Sequence, residues 1–403
     1  MLIKIAWRNI WRNKVRSLII MMAVASGLWS GFFLIAFYNG LIDQRIRSSI
    51  ESEISHIQIH HPRFTDDYEV QYYIPSAEAI LEKIVKNPRV KAAAGRVVLK
   101  GMISTTSGSS GIQINGVMPR EENQLTQISS RLITGKYFPG IRPNEMIISE
   151  KLMKKLKLKL NAKAILTFQD KDGNLASSAF RITGIYKTVN TPYDEMNVFT
   201  NIHYLDTLAG ISRQYDEIAL LLHSGKDVET LKQQLRREYP ELEIKSWIEI
   251  SPEMNLLVST SDQAMAIYMI IILLALAFGI INTMLMSVLE RTREIGMLLA
   301  LGMNKMKVFT MILLETIFLA LAGSPIGVLA GVGTVVYAHR VGINLEQFSG
   351  TYSSFGYSSL VYPVLEIQQI VMMLVMVMVT AILASLLPAR KALGLHPADA
   401  IRQ

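Results

Sequence analysis

ERTREIGMLLALGM, residues 290–303, is the stretch that decides how the rest of the chain must be arranged. A charge-free run from Gln263 to Leu289 precedes it, and a second apolar, glycine-rich run follows and extends to Ala338. Four of its first five residues are charged and cannot remain in hydrocarbon, so the stretch must lie at a membrane surface. Its apolar residues recur at helical spacing, which predicts a short amphipathic helix. This helix either lies on lipid or docks into a partner protein.

Four apolar runs are long enough to cross a bilayer, which takes about 20 residues per helix. They cover residues 17–42, 263–289, 308–338 and 367–389. The sequence therefore predicts an α-helical membrane protein with four transmembrane helices, one plus three. A large α+β extracytoplasmic domain, residues 43–262, is inserted between the first and second helices.

The distribution of Lys and Arg predicts the orientation, because short cytoplasmic flanks are enriched in these residues. Residues 1–16 hold five basic residues and no acidic one, whereas the 339–366 loop holds only Arg340. We therefore expect residues 1–16 to form an amphipathic helix at the cytoplasmic interface, with 290–307 a cytoplasmic loop, 339–366 a periplasmic loop and 390–403 a cytoplasmic tail. Both termini are then cytoplasmic. The net charge of +8 largely reflects this bias, so no nucleic-acid partner is required.

The inserted domain shows strand and helix patterns that suggest two parts. Stalk helices are expected at both of its ends. The first outer piece is predicted to contain a strand at 54–60, and then a helix and a strand within 75–103. The second outer piece, 216–247, is predicted to form a strand, a helix and a strand. Between the two pieces, a mostly β insert is expected at about 112–200. Asp172-Gly173 between two strand-like runs predicts a hairpin. The stretch Thr105–Gly111 is predicted to be a solvated, flexible loop.

No catalytic or metal-binding pattern is persuasive. The chain has no G-x-x-x-x-G-K-[ST] phosphate loop, no H-E-x-x-H and no G-x-S-x-G. Adjacent His60 and His61 would point to opposite faces of a strand, so with His56 they are predicted to be surface residues and not metal ligands. We expect no enzyme activity and no bound cofactor in this chain.

Several residues in the predicted spans need an account of their own. Glu315 is the ionisable residue of the third span, and pairing with an interfacial basic residue is favoured over a proton relay. Glycines that recur every four residues allow close helix packing: Gly27, Gly31, Gly323, Gly327 and Gly331. Near the outer ends of the first two spans, four side chains suit acyl-chain contact or ordinary packing: Phe33, Phe37, Met265 and Met269.

Three segments together resemble the FtsX/MacB-like permease superfamily of ABC transporters. They are AWRNIWRNKVRS (6–17), ERTREIGMLLALGM (290–303) and PARKALGLHPADAIR (388–402). The resemblance implies that two permease chains, identical or different, pair with a dimer of a separate ATPase that holds ATP and Mg. Its motion would pass through a coupling helix to the periplasmic domain, which is called mechanotransmission. The implied coupling residues are Glu290, Arg291, Arg293, Glu294, Ile295, Gly296, Leu301, Gly302 and Met303.

In layout the chain looks most like the lipoprotein-releasing permeases LolC and LolE of the bacterial inner membrane. SHIQIHHP (55–62) and ITGIYKTVNTPYDEMN (182–197) carry this likeness. It implies membrane lipid, a lipoprotein substrate and a periplasmic carrier as partners. A carrier-recruiting hook is not recognisable in the short 170–174 turn. The alternatives are a MacB-like peptide or antibiotic export subunit, an FtsX-like regulator of a cell-wall hydrolase, and an ATPase-independent receptor.

Overall fold

The computed structural model describes residues 2–12, 14–211, 214–345, 347, 357 and 360–393. The chain divides into two compact units. One unit comprises residues 1–42, 259–344 and 360–403, and the other comprises residues 43–258 with 345–359. We call the first the membrane unit and the second the inserted domain, and describe each by itself.

The helices of the described residues, in chain order, are α1 (Leu2–Arg12), α2 (Lys14–Ser49), α3 (Phe64–Asp67), α4 (Ala77–Val85), α5 (Pro119–Thr126), α6 (Glu150–Lys155), α7 (Thr191–Met196), α8 (Ile202–Ala209), α9 (Val228–Glu238), α10 (Trp247–Ile250), α11 (Pro252–Glu290), α12 (Thr292–Ala300), α13 (Lys305–Val341) and α14 (Ile367–Leu393). A π-helical turn, Ile50–Ile54, follows α2. Short 3₁₀ turns occur at Ile128–Arg131 and Gly225–Asp227.

The strands are β1 (Ile57–His60), β2 (Val90–Thr105), β3 (Gly108–Val117), β4 (Leu132–Gly135), β5 (Glu145–Ser149), β6 (Lys163–Gln169), β7 (Leu175–Tyr186), β8 (Asn197–Asn201), β9 (Glu217–Leu222), β10 (Glu243–Ser246), β11 (Ile343–Asn344) and β12 (Leu360–Val361). The first ten belong to one sheet of the inserted domain, and the last two form a small antiparallel pair in the membrane unit.

Four helices of the described residues are long and apolar enough to cross a membrane, and they are α2, α11, α13 and α14. Each predicted span lies inside one of them. The predicted fold class, with a large α/β domain between the first and second spanning helices, is therefore confirmed. The prediction of one helix over residues 1–16 is wrong in its boundary, because α1 ends at Arg12 and Lys14–Arg16 belong to α2.

Glycines on α13 bring its backbone close to α2. A Cβ atom at Gly323 would lie 2.6 Å from the carbonyl oxygen of Met21, and one at Gly327 would lie 2.8 Å from that of Ala25. At Gly331 it would meet the Phe32 ring at 2.7 Å. On α2 itself the glycines face other helices: Gly27 faces Leu276 of α11, and Gly31 faces Met373 of α14. The two predicted glycine stripes therefore serve different helix contacts.

The first part of the inserted domain is a four-stranded sheet, in the order β10-β1-β9-β2. Apolar residues from α4 and α9 cover one face, and the π-helical turn and α5 contribute to the core on the other. Because both faces are covered, all four residues of β1 are buried. The predicted strand-helix-strand unit around residues 216–247 is present as β9, α9 and β10.

The second part closes into a six-stranded barrel. β2 pairs with β3, β3 with β8, β8 with β5, β5 with β7, β7 with β6, and β6 again with β2. Its interior is filled by side chains that alternate along these strands, such as Leu99, Ile114 and Phe180. The sixteen-residue β2 is shared, since its first half pairs with β9 and its second half with β6.

Two predictions for this domain need correction. The β insert does not begin at about residue 112, because the second half of β2 is already a barrel strand. Thr105–Gly111 is not a flexible loop: Thr105 pairs with Gly108, so residues 106–107 form a tight hairpin turn and Gly108–Gly111 already belong to β3. The predicted hairpin at Asp172-Gly173 is present between β6 and β7.

Candidate coupling site

The segment between α11 and α13 folds into the short helix α12. Its first turn is closed by the Ile295 amide, which donates to the Arg291 carbonyl oxygen at 2.9 Å. Gly302 ends the helix with a φ of +90°, a conformation that glycine adopts without strain. The Asn304 side chain then caps α13 by accepting a hydrogen bond from the Met306 amide at 3.0 Å. The predicted amphipathic helix is therefore present, with a defined end on each side.

The two faces of α12 differ sharply in exposure. Ile295 is 3% exposed and packs into the core of the membrane unit, and Gly296 is also buried. On the opposite face Met297 is 47% and Leu301 86% exposed, and Arg293 is also exposed. A helix with one anchored and one exposed face can receive a partner without losing its own packing.

Arginines from α1 and α2 hold the acidic ends of this segment. Arg12 forms an ion pair with Glu294, and Arg16 forms one with Glu290. Arg16 also donates a hydrogen bond to the Ser287 hydroxyl at 3.0 Å. Burial by itself raises the pKa of Glu294, but hydrogen bonds and charge from Arg12 and Arg291 outweigh it and lower the pKa below its usual value. Glu294 is thus held as a carboxylate.

Glu315 is paired with an interfacial basic residue, as the sequence predicts. The Arg291 guanidinium donates from Nη1 to both Glu315 carboxylate oxygens at 3.2 Å, and from Nε to Glu294 at 3.1 Å. The Glu315 side chain is 9% exposed, so this pair is largely out of water. Arg291 therefore joins the start of α12 to the third spanning helix. We call Arg12, Arg16, Glu290, Arg291, Glu294 and Glu315 the coupling-loop network.

The residues that the resemblance implied for coupling thus separate into three groups. Glu290, Arg291 and Glu294 make ion pairs within the chain, and Ile295 and Gly296 are buried. Arg293, Leu301 and Gly302 are exposed, and Met303 is half-buried.

Sequence reasoning missed Arg12 and Arg16 as partners of the loop. A signal was available, because these arginines are four residues apart, as are Glu290 and Glu294. Equal spacing of opposite charges is compatible with one-to-one pairing, and in the structure the four residues lie on four different helices, α1, α2, α11 and α12.

The four side chains considered for acyl-chain contact do not share one environment. Phe33 and Phe37 stack with ring centroids 6.2 Å apart and, like Met265, are half-buried. Met269 is 5% exposed and belongs to the core of the membrane unit. Of the two readings left open for Met269, ordinary packing is the one that fits, because neighbouring helices cover its side chain.

The histidine prediction is also wrong for His60. Its ring is 2% exposed and stacks on Phe64, Nδ1 lies 3.2 Å from the Asp216 carbonyl oxygen, and Nε2 lies 3.1 Å from Oε1 of Gln58. Burial lowers its pKa. His56 and His61 are half-buried. Within the described residues no group of three His, Cys, Asp or Glu side chains is placed to hold a metal ion.

The 182–197 segment forms a buried polar cluster in the inserted domain. The Thr188 hydroxyl donates to Asp194 at 2.8 Å, and the Asn190 side chain donates to Glu53 at 2.9 Å. Burial raises the pKa of Asp194 to about 6. These contacts tie the end of β7 to the π-helical turn after α2, which gives the segment a structural role. Of the 388–402 motif, residues 388–393 lie in α14 and the rest lies outside the described residues.

Comparisons with known proteins match both parts of the chain. The MacB-like periplasmic core domain matches residues 17–238, more than half of the chain, and the FtsX-like permease C-terminal domain matches residues 266–397. The inserted part of the chain is also similar to the solved periplasmic region of MacB from Actinobacillus actinomycetemcomitans. The similarity covers 55% of this chain and 97% of that one, at 11% identity and a TM-score of 0.37.

Three relatives show how far the similarity extends. The uncharacterized ABC transporter permease MJ1507 of Methanocaldococcus jannaschii is 26% identical over 231 residues, so this chain spans about half (55%) of its length. The uncharacterized ABC transporter permease YknZ of Bacillus subtilis is 23% identical over 99% of this chain and 98% of its own. The lipoprotein-releasing system transmembrane protein LolC of Neisseria meningitidis is 21% identical over 97% and 95%. With its four candidate membrane helices and inserted domain, the chain belongs to the FtsX/MacB-like family of ABC transporter permeases.

Proposed function

We propose that this chain is the permease subunit of an ABC transporter whose ATPase is a separate chain, and that α12 is the helix that receives the ATPase. The observation that carries the proposal is the division of α12 into an anchored face and an exposed face. Arg293, Met297 and Leu301 form the docking surface, with a cation and two apolar side chains available to a groove on the partner. Glu294 and Gly296 lie outside this surface and hold α12 in place, Glu294 through its ion pairs and Gly296 through close packing.

The coupling-loop network is the route by which a push on α12 is passed on. Arg12 and Arg16 tie the segment to α1 and α2, and Arg291 ties it to α13 through Glu315. Because Arg291 anchors the start of α12 to the buried Glu315, α12 moves together with α13, while its exposed pair with Arg12 can open at little cost. α2 and α11 are also the helices that continue in sequence into residues of the inserted domain. This arrangement suits mechanotransmission of ATP-driven motion.

For the substrate, we propose lipoprotein release or lipid handling at the bacterial inner membrane. The likeness to LolC over nearly the whole chain supports this assignment, and Phe33, Phe37 and Met265 are available for acyl-chain contact. The functional unit would be two permease chains with two ATPases, both termini in the cytoplasm and the inserted domain in the periplasm. The match of residues 17–238 to the MacB-like core domain favours peptide or antibiotic export as the second candidate. Regulation of a cell-wall hydrolase is the third.

The test is to isolate the full chain from its native membrane, identify the co-purifying ATPase and lipid-linked protein by mass spectrometry, and measure ATP hydrolysis in nanodiscs. Leu301→Glu and Arg293→Glu should each lower ATPase retention and permease-dependent hydrolysis at least tenfold. Leu175→Glu is the matched control, because this side chain is 77% exposed but lies on β7 of the inserted domain. Full retention and hydrolysis in both α12 variants would remove the coupling role. A co-purified peptide in place of a lipoprotein would favour the second candidate function, and a co-purified cell-wall hydrolase would favour the third.

A further inference from the structure

The basic residues at the start of the chain fall into two sets. Arg12 and Arg16 are used by the coupling-loop network. Lys4, Arg8 and Lys14 are exposed, and within the part of the chain that the structure describes no carboxylate oxygen lies within 4.0 Å of their charged groups. The first acidic residue of the sequence is Asp43, so no local carboxylate can balance these three charges.

An apolar stripe runs beside these charges on α1. Ala6 and Ile10 face the core, whereas Ile3, Trp7 and Trp11 are 62%, 49% and 57% exposed. Trp7 packs edge-on against both Trp11 and Phe318 of α13, with ring centroids 6.1 and 5.9 Å apart. The tryptophans are therefore fixed in place and still present much of their surface outward.

This stripe continues onto the first spanning helix. At the start of α2, exposed apolar side chains follow at Val15, Leu18, Ile19 and Met22. Since this face of α2 enters hydrocarbon, the tryptophans lie beside the point where the chain enters the membrane, the depth that tryptophan favours. Lys4 and Arg8 each follow a stripe residue by one position, which places them about 100° further around the helix. Lys4 and Arg8 thus lie along one edge of the apolar stripe, where lipid headgroups would meet them.

We propose that α1 and the first residue of α2 form a binding site for anionic phospholipid headgroups, in which Lys4, Arg8 and Lys14 bind the headgroup and Trp7 and Trp11 lie at the level of the glycerol backbone. Charge complementarity selects the occupant. Three unbalanced cations beside a membrane-entering apolar face match a negatively charged lipid surface, and each such cation strengthens binding about fivefold at low salt. A zwitterionic headgroup offers no comparable gain. The proposal concerns lipid binding alone and is independent of whether α12 receives an ATPase.

The experiment uses the full chain in nanodiscs of phosphatidylcholine with a minority of phosphatidylglycerol. The lipids that remain bound after mild detergent extraction are counted by native mass spectrometry. The wild-type chain should retain phosphatidylglycerol well above its share of the bilayer, and enrichment should fall as NaCl is raised because salt screens exposed charges. The triple variant Lys4→Gln, Arg8→Gln, Lys14→Gln should lower this enrichment about tenfold or more.

Two controls separate this site from general charge and from the coupling-loop network. Lys86→Gln, Lys159→Gln, Arg237→Gln removes the same charge from exposed positions of the inserted domain and should leave the enrichment unchanged. Arg12→Gln should also leave it unchanged, since Arg12 is already paired with Glu294. Unchanged enrichment in the α1 triple variant, or an equal loss in the inserted-domain control, would overturn the proposal. Loss of a second chain or of an ATPase from the triple variant, with enrichment intact, would assign this surface to a protein partner instead.

Discussion

Two ion-pair networks in this molecule are built from the same residue types but differ in their exposure to water. In the inserted domain, Arg96 of β2 donates to Glu122 of α5 at 2.7 and 2.8 Å and to Glu217 of β9 at 2.8 Å. All three side chains are at most 8% exposed. In the coupling-loop network, exposure runs from 55% at Arg12 to 9% at Glu315.

The difference in burial determines whether each network can rearrange. A fully desolvated arginine with two carboxylates cannot lose a partner without leaving a buried charge, so it fixes one arrangement of β2, α5 and β9. An ion pair at the surface contributes little free energy and can open at little cost. A graded network can therefore stay anchored at its buried end and rearrange at its exposed end. We expect the following changes to test this comparison.

The largest effect is expected at Arg96. Arg96→Met leaves Glu122 and Glu217 buried without their cation and should destabilise the inserted domain by about 3–5 kcal/mol. Thermal unfolding of the full chain in detergent, with hydrogen exchange followed in β2 and β9 peptides, measures the change. Arg237→Met on α9 is the exposed control and should change stability by less than about 0.5 kcal/mol. Equal behaviour of the two variants would show that burial does not set the strength of the network.

Acidification should lower the free energy of unfolding of the inserted domain through His56. Burial, and then the charge of Lys91, lower the pKa of His56 to about 4 from an ordinary value of 6.5. The unfolded chain therefore binds the proton first, so His56 contributes stability above pH 6.5 that is lost as the pH falls towards 4, by at most about 3 kcal/mol. Denaturant unfolding at pH 7 and pH 4.5 measures the loss, and His56→Gln should reduce it. A pH dependence that is identical in this variant would contradict the assignment.

An intermediate effect is expected at the buried end of the coupling-loop network. Glu315→Ala leaves Arg291, which is 15% exposed, without its principal partner and should cost about 1–3 kcal/mol in the membrane unit. Glu315→Gln keeps the shape and one acceptor and should recover part of the loss. Thermal stability in detergent distinguishes the two. If Glu315→Ala were silent, the network would have no anchored end.

The smallest effect is expected at the exposed end. Arg12→Glu should change stability by no more than about 1 kcal/mol, because both partners are substantially exposed. Because Glu294 also accepts a hydrogen bond from Arg291, exchanging the two charges would place an arginine beside Arg291. The coupling energy is therefore taken from the double-mutant cycle of Arg12→Ala with Glu294→Ala. A coupling energy as large as that of Arg96 with Glu122 would erase the contrast between the two networks.

Much of the fold could be predicted from residues close together in sequence. Long apolar runs predicted the four spanning helices, alternation predicted β1, and a strand-helix-strand pattern predicted β9 with α9 and β10. Closure of the barrel could not be predicted, because it depends on β2 pairing with β6 some sixty residues away, a choice that no local pattern encodes. His60 was wrongly predicted to be a surface residue for a similar reason. A polar residue in a strand is expected to be exposed unless both faces of the sheet are known to be covered.

The sequence by itself determined that the chain spans the membrane four times and that a charged, amphipathic helix lies between the second and third spans. Whether a segment can enter hydrocarbon depends on its own composition, so local sequence is sufficient. Only the tertiary structure decided which charges are satisfied within the chain and which remain for a partner. Arg12 and Glu294 are 282 residues apart, yet they form a pair, while Arg293 and Leu301 stay exposed. Among the described residues, no carboxylate lies within 4.0 Å of the charged groups of Lys4 and Arg8. Pairing over that distance depends on how helices pack, which no single stretch of the sequence specifies.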